Sequence, residues 1–251
     1  MALTSEPGEA VVVGATSRTG RETARRLLRR GWNVTLSARR AERGARVAEA
    51  LAKEPGISGR VSGVVEVDLQ DEASIEAFLG GRSRDAVLDL LVLAGAPFKE
   101  QPIDSWTMRD FLEQSAAQAA GPALVASGLR EELGRSTRPG GAAVVLFGDV
   151  HARLRPRSGA TPYLLGKAAL ESLVPILAID LAPTRVFGVS PGVIAWANDF
   201  DPARRDRYLE RVPLGRAGTV QEAASMVMSL ADDFTYTTGI VIPIDGGRHL
   251  R

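Results

Sequence analysis

The sequence predicts a doubly wound α/β fold, a sheet of about seven parallel strands with helices on both faces, in a single domain over residues 1–251. Two observations carry this expectation. Short apolar or β-branched runs alternate along the whole chain with segments of helical periodicity, and unbroken apolar strands belong to a parallel sheet covered on both faces. In addition, a glycine-containing loop, Gly14-Ala15-Thr16-Ser17-Arg18-Thr19-Gly20, leads from the first of these runs directly into a helix.

The first strand is read at 10–13, and the following helix carries one apolar stripe, Ala24, Leu27 and Leu28, with its arginines on the other face. Further strands are read at 33–36, 61–67, 88–93, 142–147, 185–189 and 240–244, each separated from the next by a helical stretch. Pro139-Gly140-Gly141 before the fifth strand and Pro191-Gly192 after the sixth are local punctuation. No linker, internal repeat or low-complexity segment interrupts the pattern. Residues 193–212 are richer in polar and aromatic side chains, including Trp196, Phe200 and Tyr208. They leave from the carboxyl end of a strand, where ligands of doubly wound sheets bind, and are read as a substrate lid. The alternative is a surface helix packing its aromatics on the sheet.

Bulk properties narrow the function classes. At 45% hydrophobic and 24% charged residues the chain has the composition of a globular protein with a sizeable core. A net charge of +1, with no basic run interleaved with aromatics, leaves nucleic-acid binding without a footprint. Cysteine is absent and His151 and His249 are the only histidines, so neither a disulfide nor a metal site is expected. The stretch from Met1 to Ala10 lacks the apolar centre of a signal peptide, and no apolar run is read that approaches the roughly 18 residues of a membrane span. A soluble cytoplasmic protein with a small-molecule substrate, and neither nucleic-acid nor membrane partners, is expected.

Tyr163-Leu164-Leu165-Gly166-Lys167 sets a phenol and an ammonium one helical turn apart on the same face. A cation beside a tyrosine favours the phenolate and lowers a pKa that is otherwise about 10, which makes the pair a candidate acid catalyst. Only three lysines, Lys53, Lys99 and Lys167, occur among 31 basic residues, so an ammonium here is not casual. Lysine is a compact charge with three rotatable donors, able to reach a tyrosine and a cofactor ribose together. A surface Tyr and Lys on an amphipathic helix is the bland alternative.

The glycine loop aims backbone amides and a helix dipole at whatever anion docks there, and a pyrophosphate suits it. Gly14, Thr16, Ser17, Arg18, Thr19 and Gly20 are the candidate contacts. Where an acid would read a ribose 2′-hydroxyl, the second strand ends instead in Ala38-Arg39-Arg40. Two guanidiniums match a 2′-phosphate, which points to NADP(H), and Arg18 is read as a further contributor to that pocket. A solvated helix start in an arginine-rich chain is the alternative for Arg39 and Arg40.

With these motifs placed, the chain resembles the short-chain dehydrogenase/reductase family over essentially its whole length. Asp68-Leu69 stands where the family has an aspartate near the adenine, and Ala94-Gly95 matches the loop after the fourth strand. Ser190-Pro191-Gly192, followed by Val193 and Ile194, matches the turn beside the nicotinamide, and Pro213-Leu214-Gly215-Arg216 with Asp245-Gly246-Gly247 matches the tail. There are departures. Asp149 stands in for a serine, Arg18 for the middle glycine of the loop, Gln118 for an asparagine that holds a water of the proton relay, and Leu93 and Phe187 for two further asparagines. Asp149 and Arg18 together resemble the pteridine reductase branch. The Asp149 match needs one extra residue in the loop before Tyr163, so an ordinary loop acid is the alternative there.

The resemblance implies a Rossmann-type fold and a homotetramer or homodimer through the helices near 104–134 and 160–182. It implies Tyr163 as proton donor, Lys167 as its partner at the nicotinamide ribose, Gln118 in the relay, and Asp149 orienting or protonating a ring nitrogen. Phe98, Asp149 and Trp196 are the candidate substrate contacts. A carboxylate only accepts hydrogen bonds, so it suits a substrate bearing N–H groups. The expected function is NADPH-dependent hydride transfer to a heterocyclic C=N or C=C bond, pterin-like in chemistry. A ketone or quinone reductase is the alternative within enzymes, and an NADP-binding protein without redox turnover the alternative outside them.

Overall fold

The computed structural model describes residues 7–95, 97–194, 196 and 201–251. Seven strands, β1 (Glu9–Val13), β2 (Asn33–Ala38), β3 (Arg60–Glu66), β4 (Leu90–Leu93), β5 (Ala143–Phe147), β6 (Arg185–Pro191) and β7 (Ile240–Ile244), form one parallel sheet in the order β3-β2-β1-β4-β5-β6-β7. The strands are α-connected as expected. Helices α1 (Arg18–Arg29), α2 (Ala41–Ala52), α3 (Glu72–Gly80), α4 (Met108–Ser115), α5 (Gly121–Gly128), α6 (Arg130–Gly134), α7 (Val150–Arg153), α8 (Thr161–Asp180), α9 (Pro202–Leu209) and α10 (Val220–Asp232) complete the fold. The order reverses between β1 and β4, and the crevice that opens at such a point is where doubly wound sheets bind ligands.

Strand parity divides the core into two layers. Val12, Val34, Leu36, Val92, Val145 and Phe187 pack with Leu27 and Leu28 of α1 and with Val227 and Met228 of α10. Val11, Val13, Leu91, Leu93, Val144 and Leu146, the alternate residues of the same strands, pack with Val125 of α5 and with Leu170 and Val174 of α8. Burying each such side chain contributes about 1.5–3 kcal/mol, which is why both faces of the sheet must be covered. The strand read at 88–93 begins only at Leu90. Leu88 leaves the ladder and donates its amide to the Glu132 carbonyl at 3.0 Å.

Helix α8 differs from expectation in composition. Its 20 residues contain an 18-residue window of mean hydropathy 1.4, apolar and long enough to cross a membrane, yet half of that window is buried against the sheet. Leu164 and Leu177 lie in the core and Leu173 packs on it, while Leu165, Ile176 and Ile179 face outward.

The long helical stretch before β5 is broken rather than continuous. Thr107 and Asp110 form a reciprocal capping box at the start of α4. After Ser115 one π-helical turn, Ala116–Ala120, carries Gln118 inward, and α5 then begins at Gly121. A Cβ on Gly121 would lie 2.1 Å from the Leu69 carbonyl oxygen, so this helix approaches the β3–α3 connection at backbone contact. Gly121→Ala is expected to destabilise the protein by about 1–3 kcal/mol through overpacking, although alanine is the better helix former. Gly80→Ala, in α3 with open space around its missing Cβ, should instead stabilise by up to about 1 kcal/mol. Equilibrium urea denaturation of both variants checks the opposed signs.

Candidate active site

The site forms at the carboxyl ends of β1, β2, β4, β5 and β6. At the β1–α1 turn Gly14 takes a φ of +81°, and a Cβ there would lie 2.5 Å from the Gly95 Cα, so the turns after β1 and β4 touch. Ser17 locks them: its Oγ accepts the Gly20 amide at 3.0 Å and donates to the Ala94 carbonyl at 2.9 Å. The predicted cofactor contact Ser17 therefore spends its hydroxyl on capping α1 and holding the Ala94-Gly95 turn. Thr19 uses its carbonyl within α1, accepting from Thr23 Oγ1 at 2.9 Å.

Beside this lock lies a cleft of about 200 Å³, lined by Gly14, Thr16, Ser17, Ala38, Arg39, Asp68, Leu69, Gly95 and Pro97, with the N-terminus of α1 at one side. Asp68 is held there by an Asx turn, its Oδ1 accepting the Gln70 amide at 3.0 Å. Arg39 lines the cleft and Arg40 follows it in the chain; both are exposed and neither forms a side-chain hydrogen bond or ion pair with the described residues. Some arginines elsewhere in the chain are paired, Arg25 with Glu22 and Glu54 for example. Open amides at a helix N-terminus, a carboxylate on the cleft wall and two unpaired guanidiniums fit a nicotinamide dinucleotide. Arg18 does not join that pocket. Its Nη1 donates to the Trp196 carbonyl at 2.8 Å, tying the glycine loop to the segment after β6.

Helix α8 delivers Tyr163 and Lys167, both buried, to the crevice. The Tyr163 hydroxyl donates to Asp149 Oδ2 at 3.1 Å, so Asp149 stands at the phenol and is not an ordinary loop acid. Its other oxygen accepts the His151 amide at 2.8 Å and caps α7. Lys167 donates from Nζ to the Phe147 carbonyl, and the ammonium lies 5.9 Å from the Tyr163 ring centroid.

The electrostatics correct the expectation drawn for this pair. Burial, and then the charge and hydrogen bond of Asp149, push the Tyr163 phenol well above its ordinary 10, and the cation acting against them is Arg157. Lys167 is itself brought down to about 8 by burial, with Asp149 and Glu171 acting in the other direction. The free site thus holds a protonated phenol on a carboxylate.

Phe98 meets Tyr163 edge-on at 5.0 Å between centroids, and the Arg157 guanidinium covers the Phe98 ring at 5.1 Å. Gln118 is fully buried, its Nε2 donating to Gln114 Oε1 at 3.2 Å and to the Pro97 carbonyl at 3.3 Å. Its Oε1 is buried without a partner, and its Cβ and Cγ pack at Gly166 on α8. An orphaned acceptor there fits a bound water.

The predicted lid is partly a helix, α9, with Trp196 and Tyr208 edge-to-face at 5.4 Å. Tyr208 accepts the Val193 amide at 3.3 Å and meets the His151 ring at 6.1 Å. Phe200 lies outside the described residues. Pro191 ends β6, and Gly192 donates to the Ile244 carbonyl at 3.3 Å. Ile194 bridges Gly218 and lines a second hollow with Leu214 and Met226.

Sequence reasoning missed Glu171, His151 and Arg157. Glu171 had a readable signal, since it continues the i, i+4, i+8 column of Tyr163 and Lys167 on α8. His151 is buried among Asp149, Arg157 and Arg248, its Nδ1 paired with the Arg155 carbonyl at 2.8 Å, and burial lowers its pKa. Among the described residues no group of His, Asp and Glu is arranged to hold a metal ion.

Comparison with known proteins agrees with this geometry. The family model described as enoyl-(acyl carrier protein) reductase matches residues 14–249. Protein FixR of Bradyrhizobium diazoefficiens is 30% identical, over 98% of this chain and 88% of its own. L-xylulose reductase of Bos taurus is also 30% identical, over 95% of each chain. A solved dehydrogenase/reductase from Sinorhizobium meliloti superposes with a TM-score of 0.81 at 28% identity, covering 98% of this chain and 96% of that one. A family model over nearly the whole chain, relatives 30% identical along their length and a shared fold place it: the chain belongs to the short-chain dehydrogenase/reductase family of NAD(P)-dependent oxidoreductases.

Proposed function

We propose that the protein is an NADPH-dependent reductase of a heterocyclic C=N or C=C bond in a substrate that presents ring N–H groups, pterin-like in chemistry and similar in this to the pteridine reductases. The observation that carries the reading is the Asp149 carboxylate 3.1 Å from the Tyr163 hydroxyl, where a hydroxyl donor would suit a carbonyl substrate. NADPH, when bound, supplies the hydride. Tyr163, kept protonated by burial and by Asp149, holds the proton for the opposite end of the reduced bond. Asp149 accepts the substrate N–H in place of the phenol, which frees the Tyr163 proton for transfer. Phe98 offers its half-exposed face to a flat ring, and Trp196 with Tyr208 closes the far side. Gln118 Oε1 fits the water that would resupply the proton. A second reading, reduction of a ketone or quinone carbonyl, is favoured by the likeness to L-xylulose reductase.

NADPH oxidation over a panel of dihydropterins, cyclic imines, ketones and quinones tests the assignment. Turnover of the nitrogen heterocycles is expected, lost about 10²–10⁴-fold in Tyr163→Phe. Turnover of carbonyls alone overturns the heterocycle reading in favour of the second, and dinucleotide binding without any turnover overturns both. Arg39→Ala with Arg40→Ala should raise KM for NADPH by about 10–100-fold while leaving KM for NADH nearly unchanged, because the charged contacts removed face only the 2′-phosphate. Equal effects on both dinucleotides would remove the preference for NADP.

Self-association fits the outward apolar side chains Met108 and Leu112 of α4 and Leu165 of α8, two helices that pack side by side. A homodimer or homotetramer is expected by sedimentation equilibrium, with Leu112→Glu shifting the population toward monomer.

A further inference from the structure

Glu171 is 2% exposed, and the chemistry proposed above leaves it without a role. Its Oε1 accepts from the Ser190 hydroxyl and from the Asp149 amide, the latter at 3.2 Å. A Cβ on Gly148 would lie 2.4 Å from the same oxygen, so the β5–α7 turn is fitted around this carboxylate. One side chain on α8 thereby holds the turn that carries Asp149 and the Ser190-Pro191-Gly192 turn that ends β6.

We infer that Glu171 is a positioning residue of the reaction, fixing both turns to the helix that bears Tyr163 and Lys167 and placing a negative charge beneath the Lys167 ammonium. The inference rests on the assignment of Tyr163 and Lys167 as the reacting pair and not on the substrate class. Groups facing this cluster come from three elements. Helix α8 supplies Tyr163, Lys167 and Glu171; the β5–α7 segment and the loop after it supply Asp149, Arg153 and Arg157; β6 supplies the Ser190 hydroxyl. Burial raises the Glu171 pKa, against which the Ser190 and Asp149 hydrogen bonds favour the charged form.

The sign of the effect follows. Burial holds Lys167 at about 8, and the charges of Asp149 and Glu171 keep it from falling further. Removing the Glu171 charge must lower the pH at which Lys167 loses its proton. It also removes one of the influences that raise Tyr163, so both changes move an alkaline limit in the same direction.

Glu171→Gln keeps the acceptor and the shape and deletes the charge, whereas Ser190→Ala keeps the charge and deletes one of the two tethers. NADPH affinity, followed by quenching of NADPH fluorescence over about two pH units on either side of the Lys167 pKa of about 8, needs no substrate and so stands or falls apart from the proposed reaction. For the wild type, affinity should weaken above pH about 8. In Glu171→Gln that decline should begin about half a pH unit or more lower, with kcat on any accepted substrate down about 10-fold. Ser190→Ala should lose kcat without moving the limb. An unmoved limb in Glu171→Gln, with melting temperature and kcat also within error of wild type, would overturn the inference. So would a loss confined to melting temperature in both variants, which would make Glu171 a packing residue only.

Discussion

Burying the Lys167 ammonium under the carboxyl edge of the sheet is the constraint around which the site is arranged. Bringing such a charge out of water costs several kcal/mol unless hydrogen bonds and opposite charges compensate. The compensation here is local and asymmetric: the Phe147 carbonyl at the end of β5 accepts from Nζ, while Asp149 and Glu171 lend charge without pairing directly. Because these groups sit on β5, the turn after it and α8, satisfying one ammonium fixes the relative placement of three elements. Tyr163, one turn earlier on α8, then arrives at Asp149 as a consequence.

The sheet makes that arrangement possible by its polarity. Parallel strands bring all their carboxyl ends to one edge, so turns distant in sequence, after β1, β4, β5 and β6, become neighbours. Their closeness is set by small residues and short hydrogen bonds rather than by large side chains. Gly14 against Gly95, Ser17 against Ala94 and Gly121 against Leu69 are contacts at backbone distance. The rigid part of the cleft is therefore built on backbone, whereas the far side is built of aromatic and guanidinium side chains, Phe98 under Arg157 and Trp196 against Tyr208. Rigid backbone suits an invariant dinucleotide, and side-chain walls suit a substrate that differs from one relative to the next.

Much of this was legible before any coordinates. The central strands β1, β4 and β5 show as apolar runs because burial on both faces leaves no polar alternate, and the Tyr163–Lys167 spacing shows because helix geometry is local. Asp149 was located within the loop by motif order alone, although its contact with Tyr163 depends on how α7 turns. What the sequence could not carry is the sign of the Tyr163 shift. That sign depends on where Nζ points and on how deeply the phenol is buried, and both are set by packing between elements. Arg18 misled for the same reason, since it reaches across to the Trp196 carbonyl. Helix α8 shows the limit of composition, since a core helix and a membrane span share a hydropathy and are separated only by what covers them.

The carboxylate at position 149 also changes what the tyrosine is. A serine hydroxyl there could donate to a substrate oxygen alongside the phenol, so that two donors would converge on one acceptor. With Asp149 the phenol instead has an internal acceptor, and the free site satisfies itself. Such a pair opens only for a partner that replaces both halves of the bond, offering a donor to Asp149 and an acceptor to Tyr163 at once. A simple ketone supplies the acceptor but leaves Asp149 Oδ2 without its donor, whereas an amidine-like edge, with an N–H next to an unprotonated ring nitrogen, supplies both in the spacing of a single hydrogen bond. On the proposed reading, selectivity comes less from the shape of the pocket than from the cost of breaking the Tyr163–Asp149 bond without full replacement.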